Sequence, residues 1–267
     1  EVALFGDTFN TYFEPENLRA AVAVLGRLGY HVQWLRPDGG DSAMGGLWSA
    51  RKRRPLCCGR TFLSAGLVDA ARTEAARLLA AAAPFVARGV PVVGLEPSCL
   101  MTLRDEFQAL LPGADSEKLA ASALLFEEFL AREVEAGRIM GPLARHPGKV
   151  LLHGHCHQKA FGALSSVGAA LALVDGLEVE NVEASCCGMA GAFGYCADTY
   201  EVSMAMGELS LLPTVRAAAA DTLIAADGFS CRHQIRDGTG RQPRHVVLIL
   251  HEAIMHRPYP RPERVAS

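Results

Sequence analysis

The sequence predicts an α/β fold of two duplicated lobes, each with a mainly parallel sheet, related by a pseudo-twofold. Three observations predict it. Short apolar runs alternate with helix-compatible segments along the chain, the pattern of parallel strands covered by helices. The triplet Cys-Cys-Gly occurs twice, at Cys57, Cys58, Gly59 and at Cys186, Cys187, Gly188, 129 residues apart. The pattern S-C-x-x-x-x-R-D also occurs twice, from Ser98 to Asp105 and from Ser230 to Asp237, with its cysteines 132 residues apart. Two motifs repeated at nearly one spacing mark an internal duplication.

The elements follow in the same order in each half. "VALFG" (2–6) and "VLLHG" (150–154) are apolar runs ending in glycine, read as buried strands. "PENLRAAVAVLGRLGY" and "QKAFGALSSVGAALALVDG" follow as helices with glycine near the expected C-cap. Next come the strands "HVQWL" and "LEVENVEA", the two Cys-Cys-Gly triplets, and the long helices "LVDAARTEAARLLAAAAPFVARG" and "YEVSMAMGELSLLPTVRAAA". A third strand, "PVVGLEP" or "DTLIAAD", leads into Ser98-Cys99 or Ser230-Cys231. Between the halves, "SEKLAASALLFEEFLAREVEAG" has its apolar residues at helical spacing and predicts a connecting helix, with "LARHPGK" as linker. The expected organisation is a first lobe over 1–112, a connector over 113–148, a second lobe over 149–256 and a loose proline- and arginine-rich tail over 257–267.

The chain has 267 residues, half of them hydrophobic, and a net charge of −3. That suffices for one large core or two packed units. The one basic run, "ARKRRP", is read as solvated surface, so no nucleic-acid partner is expected. The longest apolar runs are broken by Arg, Glu or Pro, so no membrane span is expected. No export signal is recognisable, and the chain begins with Glu1 rather than Met. The expectation is a piece of a longer chain or a processed product, working in the cytoplasm. In that reducing compartment the eight cysteines are expected as thiols, and clustered thiols there point to metal or catalysis.

Cys156 follows the first strand of the second half, Cys186 and Cys187 precede a helix, and Cys231 follows the third strand. Ligands of parallel α/β sheets bind at the carboxyl edge of the strands, so these four sulfurs are expected at one edge. Thiolates converging from distant positions suit a soft metal or an iron–sulfur cluster. In the first half the corresponding residues are Cys57, Cys58 and Cys99, and the fourth position falls on Thr8. That incomplete set is read as a relic or a structural feature, with a metal held through a non-cysteine ligand as the alternative. Cys196 is read as a small buried hydrophobe. His153, His155 and His157 surround Cys156 and could ligate metal, hydrogen-bond a cluster sulfur or line a polar loop. If the strand continues that far, His155 and His157 point one way and Cys156 the other. His233 is similarly open, and Arg104 and Arg236 could meet carboxylates, a charged cluster, helix ends or the other lobe.

The doubled Cys-Cys-Gly, with a cysteine upstream and another downstream, resembles the cysteine-rich CCG domain family of the heterodisulfide reductase B subunit and glycolate oxidase iron–sulfur subunit type. The resemblance runs from Val2 to Ile254. "DTFNTYFEP", "LEPSC" and "HGHCHQKA" look most like the C-terminal region of fused FAD and iron–sulfur D-lactate or D-2-hydroxyglutarate dehydrogenases. The family's fullest pattern ends each repeat in C-x-x-C, but Thr102 and Gln234 stand at the second cysteine here. This departs from a five-thiolate noncubane cluster and leaves room for a four-ligand one. No ferredoxin-type cysteine run and no FAD or NAD fingerprint is present.

The resemblance implies an iron–sulfur electron-transfer module of a flavin-dependent 2-hydroxy-acid oxidoreductase. It would carry a 4Fe-4S cluster on Cys156, Cys186, Cys187 and Cys231. FAD would lie in the parent chain, and the partners would be upstream flavin and ferredoxin-like domains or subunits, with peripheral association with a respiratory acceptor. The fragment alone is expected to be inactive. Two alternatives use the same cysteines: a structural or interaction module holding zinc, and a thiol-redox enzyme with a Cys186–Cys187 vicinal disulfide.

Overall fold

A computed structural model of the chain describes residues 1–37 and 54–255. It contains two four-stranded, all-parallel sheets. The first comprises β1 (Val2–Leu4), β2 (Val32–Trp34), β3 (Val92–Gly94) and β4 (Ala123–Leu125), in the order β2-β1-β3-β4. The second comprises β5 (Ala144–Leu152), β6 (Val174–Asn181), β7 (Leu223–Ala225) and β8 (Pro243–Arg244), in the equivalent order β6-β5-β7-β8. The duplication predicted from the motifs is thus a duplication of topology.

The lobes share one apolar core. In the first, α2 (Pro15–Arg27) follows β1 and α8 (Phe126–Glu135) follows β4; in the second, α10 (Leu164–Leu171) follows β5 and α14 (Val246–Met255) follows β8. Helix α2 packs on α14, and α8 packs on α10. Each lobe's early helix therefore meets the other's last helix, the reciprocal contact that a twofold relation requires. Leu18, Val24, Phe126, Phe129, Val150, Val167, Val247 and Leu250 fill this interface with almost no exposure. Burying each such side chain contributes roughly 1.5–3 kcal/mol.

Four elements differ from the sequence reading. The connecting helix is interrupted, because Ala123–Leu125 pairs with β3 as a strand between α7 (Ala114–Ser122) and α8. A three-residue apolar run fits a buried strand as well as a helical stripe, and the sheet decides between them. The linker "LARHPGK" mostly belongs to β5, whose register with β6 shifts between Arg145 and Gly148, beside Pro147, which has no N–H to offer the ladder. The helix after β5 is split into α9 (Cys156–Ala160) and α10 at Gly162, which has φ +69°. The helix after the second Cys-Cys-Gly is split into α11 (Ala197–Glu208) and α12 (Leu211–Ala217), where Pro213 lacks the N–H needed to continue one helix. Most of "ARKRRP" and the whole 257–267 tail lie outside the described residues. No described helix is long and apolar enough to cross a membrane.

Candidate metal centre

All seven candidate cysteines follow the carboxyl ends of strands, four in one lobe and three in the other. The two lobes place them alike except for the turn that follows the Cys-Cys-Gly. Cys156 is the first residue of α9, and its counterpart Thr8 is the first residue of α1 (Thr8–Tyr12). Cys57 and Cys58 precede α3 (Arg60–Ser64), while Cys186 and Cys187 precede a 3-10 turn, Phe193–Tyr195. Cys99 is the third residue of α5 (Pro97–Arg104), and Cys231 the third of α13 (Phe229–Thr239). Free N–H groups in these first turns favour negative charge on the sulfur.

The two glycines are fixed by geometry. Gly59 has φ +81°, and a Cβ there would lie 2.9 Å from the Ala71 carbonyl oxygen. Gly188 has φ +95°, and a Cβ there would overlap the Ser203 carbonyl oxygen outright. The turn aims the glycine N–H back at the first sulfur: Gly59 donates to Cys57 Sγ at 3.4 Å and Gly188 to Cys186 Sγ at 3.3 Å.

In the second lobe Cys186 contacts Cys187, which contacts Cys231. A ring nitrogen of His153 and the Sγ atoms of Cys187 and Cys231 lie within 4.8 Å of one another. The thiol of Cys186 is pushed up by its hydrogen bond with Cys187 and by burial. For Cys187 a bond with Cys186 lowers the pKa, but the bond with Cys231 and burial outweigh it. Burial and then Cys186 raise Cys156. The metal-free thiols of Cys156, Cys186 and Cys187 are thus held protonated, and a soft cation would displace those protons. His153 is buried with no partner for either ring nitrogen, and burial depresses its pKa to about 4. Three to four thiols and an unpartnered imidazole fit a thiophilic metal or cluster.

Cys156 is exposed, at the rim of this group. The alternation expected around it does not occur, because β5 ends at Leu152 and α9 starts at Cys156. The rings of His155 and His157 stack at 5.1 Å, and Cys156 Sγ lies 3.8 Å from Nδ1 of each. His155 caps α9 by accepting the His157 N–H, and its pKa is depressed to about 3 by burial and then by His157. Cys196, expected inside, is exposed, since it ends the 3-10 turn and caps α11 at the surface. All eight cysteines are free, Cys186 and Cys187 included.

In the first lobe Cys57, Cys58 and Cys99 make the same chain of contacts, and Thr8 bonds Cys57 where a fourth thiol would stand. Cys99 is pushed up to about 12: its bond with Cys58 lowers the pKa, but burial and the nearby Asp7 and Glu96 prevail. Thr102 and Gln234, at the family's second C-x-x-C positions, are committed elsewhere. Thr102 Oγ1 donates to the Ser98 carbonyl, and Gln234 Nε2 donates to the carbonyl and hydroxyl oxygens of Ser203.

Polar bridges tie the two sites together across the interface. Arg60, next to the first Cys-Cys-Gly, reaches His157 Nε2 at 2.9 Å and also pairs with Glu106. Glu96 accepts the Phe229 N–H at 2.9 Å, holding the turn that carries Cys231. Arg232, beside Cys231, pairs with Glu14 and donates to the carbonyls of Ala226 and Asp227. None of these bridges has a sequence signature. Arg104 and Arg236, which do stand out in the sequence, stay within their own lobes, on Glu128 and on His233 and Asp237.

A family model described as a cysteine-rich domain, CCG, matches residues 150–236, which hold Cys156, Cys186, Cys187 and Cys231. One subunit of the anaerobic glycerol-3-phosphate dehydrogenase of Escherichia coli K12 is 28% identical over 95% of this chain, which spans 59% of that subunit. The D-2-hydroxyglutarate dehydrogenase of Pseudomonas putida is 32% identical over 93% of this chain, which spans 22% of it. The Escherichia coli K12 D-2-hydroxyglutarate dehydrogenase is 33% identical over 62% of this chain, covering 16% of that protein. The chain thus spans little more than half of one relative and about a fifth of the others. With its paired strand-end thiols, the second lobe is the part of the chain that matches the cysteine-rich CCG family model.

Proposed function

We propose that the chain is an iron–sulfur electron-transfer module of a flavin-dependent oxidoreductase acting on a 2-hydroxy acid or a related alcohol. The observation that carries this reading is the convergence of Cys186, Cys187 and Cys231, with Cys156 at the rim, on one sheet edge. Dehydrogenases among the relatives support the reaction class. Cys156, Cys186, Cys187 and Cys231 would hold the cluster, of 4Fe-4S type, and the cluster would supply one-electron storage. The chain's own residues would keep water from the buried sulfurs and leave Cys156 as the exposed side facing a redox partner. FAD and ferredoxin-like clusters would belong to partner domains or subunits, and a respiratory acceptor would take the electrons by peripheral association. A reducing cytoplasm suits eight free thiols. Without a flavin partner the chain is inactive on any hydroxy acid.

The test is iron and acid-labile sulfide content after anaerobic purification, wild type beside Cys187→Ser. Iron and sulfide together, lost in the variant, are the expected result. Zinc without sulfide would replace this reading by a structural zinc site, and absence of any metal would overturn it.

A further inference from the structure

We infer that the imidazole of His153 is itself a ligand of the second-lobe centre, beside Cys187 and Cys231. The inference rests on the metal-centre reading above and assigns it a donor outside the four cysteines.

His153 directly follows β5, and its backbone N–H extends the ladder by donating to the Ala225 carbonyl at 2.8 Å. The ring is therefore held from a rigid strand end, 1% exposed. Neutral imidazole carries one donor and one acceptor nitrogen, and neither has a partner here. Leaving such a buried group unsatisfied costs enough that native structures rarely do so without a ligand, ion or water.

The other buried histidines show the contrast. His155 Nδ1 takes the His157 N–H. His245 uses Nδ1 for the Val247 N–H and Nε2 for the Leu95 carbonyl. Among the described residues, only Glu127 shares the unpartnered state of His153, and it lies with Asp227 and His245 rather than among thiols. The neighbours of the His153 ring are sulfurs, with one nitrogen within 4.8 Å of both Cys187 and Cys231 Sγ. Two ligands of one tetrahedral metal stand somewhat closer than this, at roughly 3.5 Å, given bonds of about 2.0–2.3 Å. Gln234 is tied to Ser203 and Lys159 to the Ala184 carbonyl, so neither competes for the position.

With an imidazole as the added donor the centre carries less negative charge than with a thiolate at that position, and is easier to reduce. The experiment uses the whole chain, reconstituted anaerobically with iron and sulfide and reduced. Pulsed EPR is recorded on wild type with natural-abundance histidine and with 15N-histidine, then on His153→Ala and His153→Cys. Wild type is expected to show the hyperfine coupling of a directly bound histidine nitrogen, altered by the label. Both variants are expected to lose it while keeping iron, and His153→Cys is expected to have the lower reduction potential. Wild type with iron and sulfide but no histidine coupling would overturn the ligand and leave the proposed function standing. So would a coupling that persists in either variant. Wild type without iron and sulfide would overturn both. The deciding signal is read on wild type, so a variant that misfolds does not spoil the test.

Discussion

The two lobes place the same motif on the same frame and differ first at one residue. In the second, the first residue of the helix after the leading strand is Cys156; in the first, it is Thr8. Three parts of the motif are alike: the two contacts that link three thiols, the left-handed glycine and its N–H to the leading sulfur. A second difference lies just upstream. Asp7 precedes Thr8 and caps its helix through Phe9, Asn10 and the Asn10 side chain, whereas His155 precedes Cys156 and caps α9. Near Asp7 the Cys99 thiol is held high, and added anionic sulfur is disfavoured. The two lobes thus share a scaffold for sulfur, and the proposed function puts metal in the second because Cys156 completes its thiol set where Thr8 stands in the first.

The sharpest way to break this comparison is Cys231→Ser beside Cys99→Ser. The first is expected to abolish iron binding and the second to leave it intact, read as iron per chain after anaerobic reconstitution. Equal loss in both would make the two sites one functional unit. Thr8→Cys is the converse, giving the first lobe its fourth thiol. It is expected to add metal beyond the wild-type content, and an unchanged content would shift the weight to Asp7.

Glu96 gives a smaller effect, in stability. Burial, then Asp7, raises its carboxyl from an ordinary 4.5 to about 7. The folded state therefore binds more protons between these values, so stability is greatest at low pH and is lost as pH rises from 4.5 to about 7. The full shift corresponds to about 3 kcal/mol. Glu96→Gln is expected to remove most of that pH dependence, read as the difference between the two proteins' denaturant midpoints across this range. A parallel pair of curves would show that Glu96 does not titrate in the fold. Smallest is the glycine pair. Gly188→Ala is expected to cost about 2 kcal/mol or more and Gly59→Ala about 1, since both require positive φ but the clash at Gly188 is closer. Equal losses in chemical denaturation would show that backbone strain outweighs the contact.

Much of this frame is legible in the sequence because it is periodic and repeated. The strands before Cys99, Cys156 and Cys231 are apolar runs with clear ends, and a doubled Cys-Cys-Gly has few bland explanations. Three features are not legible, for identifiable reasons. Strand β4 is three residues of Ala and Leu, equally good in a helix, and only pairing with β3 makes it a strand. The orientation of Cys156 depends on whether the chain leaves the strand at residue 152 or continues, which alternation cannot tell. The bridges from Glu96 to Phe229 and from Arg232 to Glu14 join residues more than a hundred positions apart, each a single polar side chain with no pattern around it.

The exchange of helices between the lobes has a practical consequence for anyone seeking the smallest working unit. Cutting at the connector would strip α2 from α14 and α8 from α10, baring Phe126, Phe129, Val247 and Leu250 to water. The half that holds all four candidate cysteines would also lose the carboxylate that steadies the turn before Cys231. A minimal domain for expression, grafting or fusion to another redox protein is therefore the pair. The half with three thiols covers the apolar face of the half with four.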